Sequence, residues 1–242
     1  MDQASATIRP IEKAPWIWRW YPAVYDLGTR HLVPYRRLRA DIQTAAHRSV
    51  STESPHLLDC CCGTGNMLEA LQREIPNAVA TAIDFSPEMI QRAQSRCDPL
   101  GHVNWVRAKL LDGLKTLPDA GVDVAVMSNG FYPLPDPTAV LAQLKRVLKP
   151  DGAFILSDPK AGSKLRHLLI HHLVKGHLLR LYALPLFIGA GLFSWCIGRD
   201  QAYAFHSTQQ AADMLRRAGF AITEQGESYG GANYFFVARR EA

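Results

Sequence analysis

The sequence predicts an α/β domain: a seven-stranded, mostly parallel sheet with helices on both faces and a terminal antiparallel strand. Three observations carry this. Short apolar runs alternate with amphipathic stretches between residues 56 and 157, the pattern of strands buried on both faces and joined by helical crossovers. Glycines 63 and 65 sit between the first such strand and the first crossover helix, where a parallel sheet turns at its carboxyl edge. Gly230-Gly231 separates the last two apolar runs, and a glycine pair between strands signals a hairpin, so the final strand runs antiparallel.

The elements follow in order. Residues 1–50 hold an arm with Trp16, Trp18, Trp20, Tyr21 and Tyr25, irregular in pattern, and then an amphipathic helix over 35–48. Residues 51–160 form the core, with strands at 56–61, 79–83, 103–107, 122–127 and 153–157 and helices at 66–74, 87–96 and 137–148. Residues 161–206 are a helical cap insertion. Its centre, 178–197, is twenty residues long with Arg180 as its one charge. That length would suit a membrane span, but Pro185 and the Gly189/Gly191 pair interrupt it, and a span would separate the end of the chain from its own sheet. Three roles stay open for it: a buried cap, a homodimer interface, or peripheral contact with a membrane. Residues 207–242 close the domain with a helix over 209–218 and strands at 220–224 and 234–238.

With 242 residues, 48% hydrophobic and 20% charged, the chain suits one domain with a full core. Its net charge of +5 is a mild excess and weak evidence for an anionic partner. Cys60, Cys61 and Cys62 are consecutive and lack zinc-ligand spacing, so they read as strand-end packing; no metal is expected, and a reducing cytoplasm is the expected compartment.

The run Asp59-Cys60-Cys61-Cys62-Gly63-Thr64-Gly65 lets the backbone pass close to a ligand before a helix N-terminus. Asp84 follows nineteen residues after Gly65, at a strand end where an acid can accept from both ribose hydroxyls. A dinucleotide fingerprint would place a third glycine at position 68, where this chain has Leu68. The run instead resembles motif I of class I S-adenosylmethionine-dependent methyltransferases, with Cys61 in place of its first glycine. Ala82-Ile83-Asp84-Phe85-Ser86-Pro87-Glu88-Met89-Ile90, Leu148-Lys149-Pro150-Asp151-Gly152 and Arg217-Ala218-Gly219-Phe220 resemble three further motifs of that family, in the same order.

The resemblance implies S-adenosylmethionine as cofactor and S-adenosylhomocysteine as product. It assigns the ribose to Asp84 and adenine packing to Phe85, with Asp59, Cys61, Gly63, Gly65 and Met89 as further cofactor-binding residues. Ser128 and Asn129, after the fourth strand, match positions that contact the cofactor and face the acceptor. The family's acid after the third strand has no counterpart at its expected place in Arg107-Ala108-Lys109-Leu110-Leu111-Asp112, which leaves backbone groups of Lys109 or Leu110 for adenine, or Asp112 from a shifted loop. Tyr25-Asp26 resembles the arm motif that closes over the cofactor in quinone-type and lipid-type members.

Methyl transfer from a sulfonium needs alignment above all, and a base only where the acceptor must lose a proton early. Tyr132 and His206 are the catalytic candidates, with Tyr25, His171 and His172 behind them. Each has a structural alternative: His206 precedes a Ser207 helix cap, His171 and His172 fit a solvated face, and Tyr132 can simply pack. Asn129-Gly130-Phe131-Tyr132 lacks the Pro-Pro-aromatic signature of nucleic-acid base methylation, so no nucleic-acid partner is expected, and the apolar insertion favours a small or lipid-like acceptor. Two other classes remain: a regulatory protein that binds the cofactor without turnover, and a nicotinamide-dependent oxidoreductase, which Leu68 and the hairpin oppose.

Overall fold

The computed structural model describes residues 31–162 and 203–241 together with Pro22, Tyr25, Asp26 and Thr29. The segment 178–197, His171, His172, Trp16, Trp18 and Trp20 lie outside the described residues. A helix α1, Val33–Ser49, leads into strand β1, His56–Cys60. Then come α2, Asn66–Glu74, β2, Val79–Asp84, α3, Pro87–Cys97, and β3, Val103–Arg107. They are followed by α4, Leu110–Lys115, β4, Val122–Ser128, α5, Pro137–Val147, and β5, Leu148–Pro159. The described chain ends with α6, Thr208–Arg217, β6, Phe220–Ser228, and β7, Asn233–Arg240.

The seven strands lie in the order β3-β2-β1-β4-β5-β7-β6. Neighbours from β3 to β5 are parallel, while β7 runs antiparallel to both β5 and β6. The expected terminal hairpin is therefore present, with its second strand inserted beside β5.

Alternation along each strand divides the core. Leu57 and Leu58 are adjacent in β1 and both fully buried, yet they join different clusters. Leu58 packs with Leu114, Leu141, Phe154 and Leu215, from the α4, α5 and α6 side. Leu57 packs with Leu38, Ile42 and Leu71, from α1 and α2. This period of two, with both faces covered, is what makes the strands read as continuous apolar runs.

Caps set where the helices begin. Ser86 accepts the Met89 N–H at 3.3 Å ahead of Pro87, and Asp136 accepts the Ala139 N–H at 2.9 Å ahead of Pro137. Ser207 and Gln210 form a reciprocal capping box on α6. Two details differ from the sequence reading. Helix α4 was not expected, and β5 begins at Leu148, running through the Lys149–Gly152 turn with a register shift opposite Val122 and Val124.

Candidate functional site

Strand β1 delivers the chain to a loop that turns through three left-handed residues, Cys61 (φ 60°), Gly63 (φ 53°) and Gly65 (φ 77°). A side chain at Gly63 would meet nothing within 4 Å, so the loop opens there onto free space. Gly65 is the reverse case: a Cβ would lie 3.0 Å from Ala93 Cα and from Cys97 Sγ, because α2 and α3 close tightly on it. Cys61 stands where the family has glycine. It is accommodated from across the site, since Gly130 faces it and a Cβ on Gly130 would sit 2.9 Å from Cys61 Cβ. Burial pushes the Cys60, Cys61 and Cys62 thiols well up, so they remain protonated packing groups.

Two carboxylates flank this loop. Asp84 is 8% exposed at the end of β2; its Oδ2 accepts the Gly63 N–H at 2.9 Å and its Oδ1 the Ser86 N–H at 3.0 Å. Burial raises its pKa, opposed by N–H donors of Ser86, Gly63 and Phe85. Each oxygen keeps a lone pair with which to accept from a vicinal diol. Asp59 is 2% exposed, and burial, with the Asp84 charge behind it, pushes its carboxyl up to about 8 against the Leu68 N–H. Its Oδ2 is buried without a hydrogen-bond partner among the described residues, a position that calls for a donor from outside, such as an ammonium.

Phe85, next to Asp84, is 46% exposed, an apolar ring left facing solvent at the sheet edge. Diol acceptor, exposed ring, orphaned buried oxygen and open space over Gly63 together fit the ribose, adenine, amino group and chain of S-adenosylmethionine. Met89 is buried with its N–H used in the α3 cap. Leu110 is buried in the core, and Lys109 is the N-cap residue of α4 with extended backbone.

The arm reaches this loop through Asp26. Its carboxylate accepts from Thr64 Oγ1 at 2.6 Å, Asn66 Nδ2 at 2.9 Å, Arg96 Nη2 at 3.1 Å and Arg92 Nη1 at 3.4 Å. Arg96 also donates to Thr64 O, Asn66 Oδ1 and Glu69 Oε2. Tyr25 meets Tyr35 edge to face at 6.2 Å, and burial pushes the Tyr35 hydroxyl up to about 12 against a hydrogen bond with Tyr25. Sequence reasoning singled out Tyr25 and passed over Asp26 as a site residue, although it is the next residue. Arg96 carried no sequence signal.

The other side of the edge is built by the loop after β4. Ser128 Oγ is buried without a partner among the described residues. Asn129, at φ 55°, accepts the Asn233 amide at 2.8 Å, and Asn233 also donates to Ser157 Oγ at 3.1 Å. Tyr132 stacks on Phe205 at 5.0 Å with 6° between the rings, and Tyr203 lies 5.7 Å from it. His206 packs on Phe131 at 5.6 Å. Burial lowers its pKa, which favours the neutral imidazole, and its buried Nε2 lacks a partner among the described residues. Tyr132 and His206 thus belong to one aromatic wall, and His206 also precedes the Ser207 cap as its structural alternative required. Asp158 and Asn233, which support this wall, were missed from sequence.

A methyltransferase domain family matches residues 57–152. A demethylmenaquinone methyltransferase of Chlamydia muridarum is 36% identical over 104 residues, 43% of this chain and 44% of that protein. A ubiquinone/menaquinone biosynthesis C-methyltransferase of Desulfotalea psychrophila is 30% identical over 68% of this chain and 65% of its own length. The matches thus span less than two thirds of either relative. A solved S-adenosylmethionine-dependent methyltransferase from Aquifex aeolicus, 20% identical, superposes over 90% of this chain and 97% of its own with a TM-score of 0.62. Glycine loop, strand order and sequence relatives agree: residues 57–152 belong to the methyltransferase domain family, within a chain that has the class I, Rossmann-like methyltransferase fold.

Proposed function

We propose that the chain moves the methyl group of S-adenosylmethionine to a ring carbon of a reduced, quinone-like aromatic with an apolar tail. The observation that carries the choice of acceptor is the wall of Tyr132, Tyr203 and Phe205 beside His206, whose Nε2 has no partner among the described residues, joined to the quinone chemistry in the relatives' names. Flat apolar rings bind against such walls by stacking and exclusion of water.

S-adenosylmethionine supplies a methyl electrophile on a sulfonium that leaves as a neutral thioether. Asp84 would hold the ribose, Phe85 the adenine face, and Asp59 with the Gly63 turn the amino-acid end. His206 accepts the proton of a ring hydroxyl, which raises electron density at the neighbouring ring carbon. Tyr132 would orient the ring with this carbon towards the methyl group. The hydrogen of that carbon would then leave as a proton to solvent while His206 returns its proton to the ring oxygen, so that a carbon–methyl bond replaces a carbon–hydrogen bond. Lys109 and Leu110 offer backbone to adenine, while Ser128 and Asn129 lie between cofactor and acceptor.

Calorimetric titration with S-adenosylhomocysteine, followed by incubation with methyl-labelled S-adenosylmethionine and a short-chain 2-prenyl-1,4-naphthoquinol, tests the reading. Label is expected in the extracted quinone, and His206→Ala is expected to lower its rate about a hundredfold or more. Binding of S-adenosylhomocysteine with no label in any quinol would remove this acceptor.

A further inference from the structure

We infer that Asp158 is a positioning residue for the acceptor side: its buried carboxylate gathers the N–H groups of Gly130, Phe131 and Tyr132 and sets the aromatic wall that the loop carries. Phe131 N donates to its Oδ1 and Tyr132 N to its Oδ2, each at 2.9 Å, and Gly130 N–H donates to the same carboxylate. Asp158 is fully buried near the end of β5. Three consecutive amides converging on one buried carboxyl group form a concave nest whose N–H groups would otherwise need water.

What hangs from those amides is the acceptor wall. Phe131 carries the ring against His206, and Tyr132 the ring stacked on Phe205. The Tyr132 carbonyl accepts the Ala204 N–H at 2.9 Å, which ties residues 203–206 to the same loop. Strand β7 braces the arrangement from behind: Tyr234 pairs with Asp158 across the ladder, and Asn233 holds Asn129, the residue just before the nest. A carboxylate that touches neither ring therefore sets where both stand. The aspartate makes no hydrogen bond to the glycine loop, Asp84 or Phe85 among the described residues, and the nest meets that loop where Gly130 packs on Cys61.

The test compares the full chain with Asp158→Asn, in which one acceptor oxygen becomes an amide donor facing the nest. Deuterium exchange should accelerate about tenfold or more at the 130–132 amides, and label transfer to the naphthoquinol should fall about tenfold or more, while the affinity for S-adenosylhomocysteine stays within about threefold. The acceptor half of this test rests on the function proposed above, whereas the exchange half does not. If the wild-type chain labels no quinol, that function fails, and exchange alone decides for Asp158. In the wild-type chain, the Gly130, Phe131 and Tyr132 amides should exchange as slowly as strand amides although they lie in a loop, a measurement that stands even if the variant does not fold. Fast exchange at those amides would overturn the inference, as would a parallel loss of S-adenosylhomocysteine affinity or a variant with unchanged rate.

Discussion

At the scale of single residues, the two ends of the cofactor cradle are held by different physics. Asp84 offers a charged acceptor to hydroxyl donors, and hydrogen bonds to a charged group are worth about 1.5 to 3 kcal/mol each when their loss leaves donors unpaired. Asp84→Ala is therefore expected to weaken S-adenosylhomocysteine binding roughly ten- to a hundredfold by calorimetry; unchanged affinity would displace Asp84 from the ribose. Asp26 acts through the loop, with the Arg96 ion pair at 22% and 17% side-chain exposure and the Arg92 pair more exposed. Asp26→Asn keeps the shape and removes the charge, and a several-fold loss of affinity that shrinks in high salt is expected, in keeping with about 1 kcal/mol for a partly exposed pair.

At the scale of elements, two glycines in one turn should fail in opposite ways when given a methyl group. Gly65→Ala drives a Cβ into Ala93 and Cys97 at 3.0 Å with φ at 77°, so it should cost about 1 to 3 kcal/mol and lower the melting temperature by several degrees. Gly63→Ala meets nothing within 4 Å, so its folded state should bear only the left-handed strain, while the added methyl enters the ligand space and reduces cofactor binding. Melting and titration of both variants separate the two. This turn was legible in the sequence because strand, glycines and helix are contiguous, and Asp84 ends the next strand. Helix α4 was not, because Leu110–Lys115 spans under two turns and contains Gly113, leaving no apolar period to read. Asp26 meets Thr64 across 38 positions, and Asn233 meets Asn129 across 104. Such contacts leave no local pattern, so the partners of the Tyr25-Asp26 arm and the acceptor support emerged only from the fold.

At the scale of the whole molecule, the parallel sheet collects its acids at one edge and buries them. Asp59 is pushed up to about 8 from 3.8 in an unfolded chain, so the native state holds a proton that the unfolded state has released. Its contribution is present in full below the unfolded value and is lost as pH rises through the folded one. The melting temperature is therefore expected to fall progressively between about pH 4 and pH 8, and Asp59→Asn to flatten that slope; a stability rising over this range would contradict the burial. A cofactor ammonium beside Asp59 favours its ionised form, so S-adenosylhomocysteine binding near neutral pH should release protons, read from calorimetry in buffers of different ionisation enthalpy.

The strand order has a consequence for synthesis. Strand β6 leaves the ribosome before β7, yet β7 lies between β6 and the rest of the sheet. The nascent chain therefore holds β6 with nowhere to dock, and β5 with an open edge, until residues 233–240 emerge. During that interval the exposed ladder of β5 is the place where a second nascent copy could pair, and Asn129 still lacks its partner Asn233.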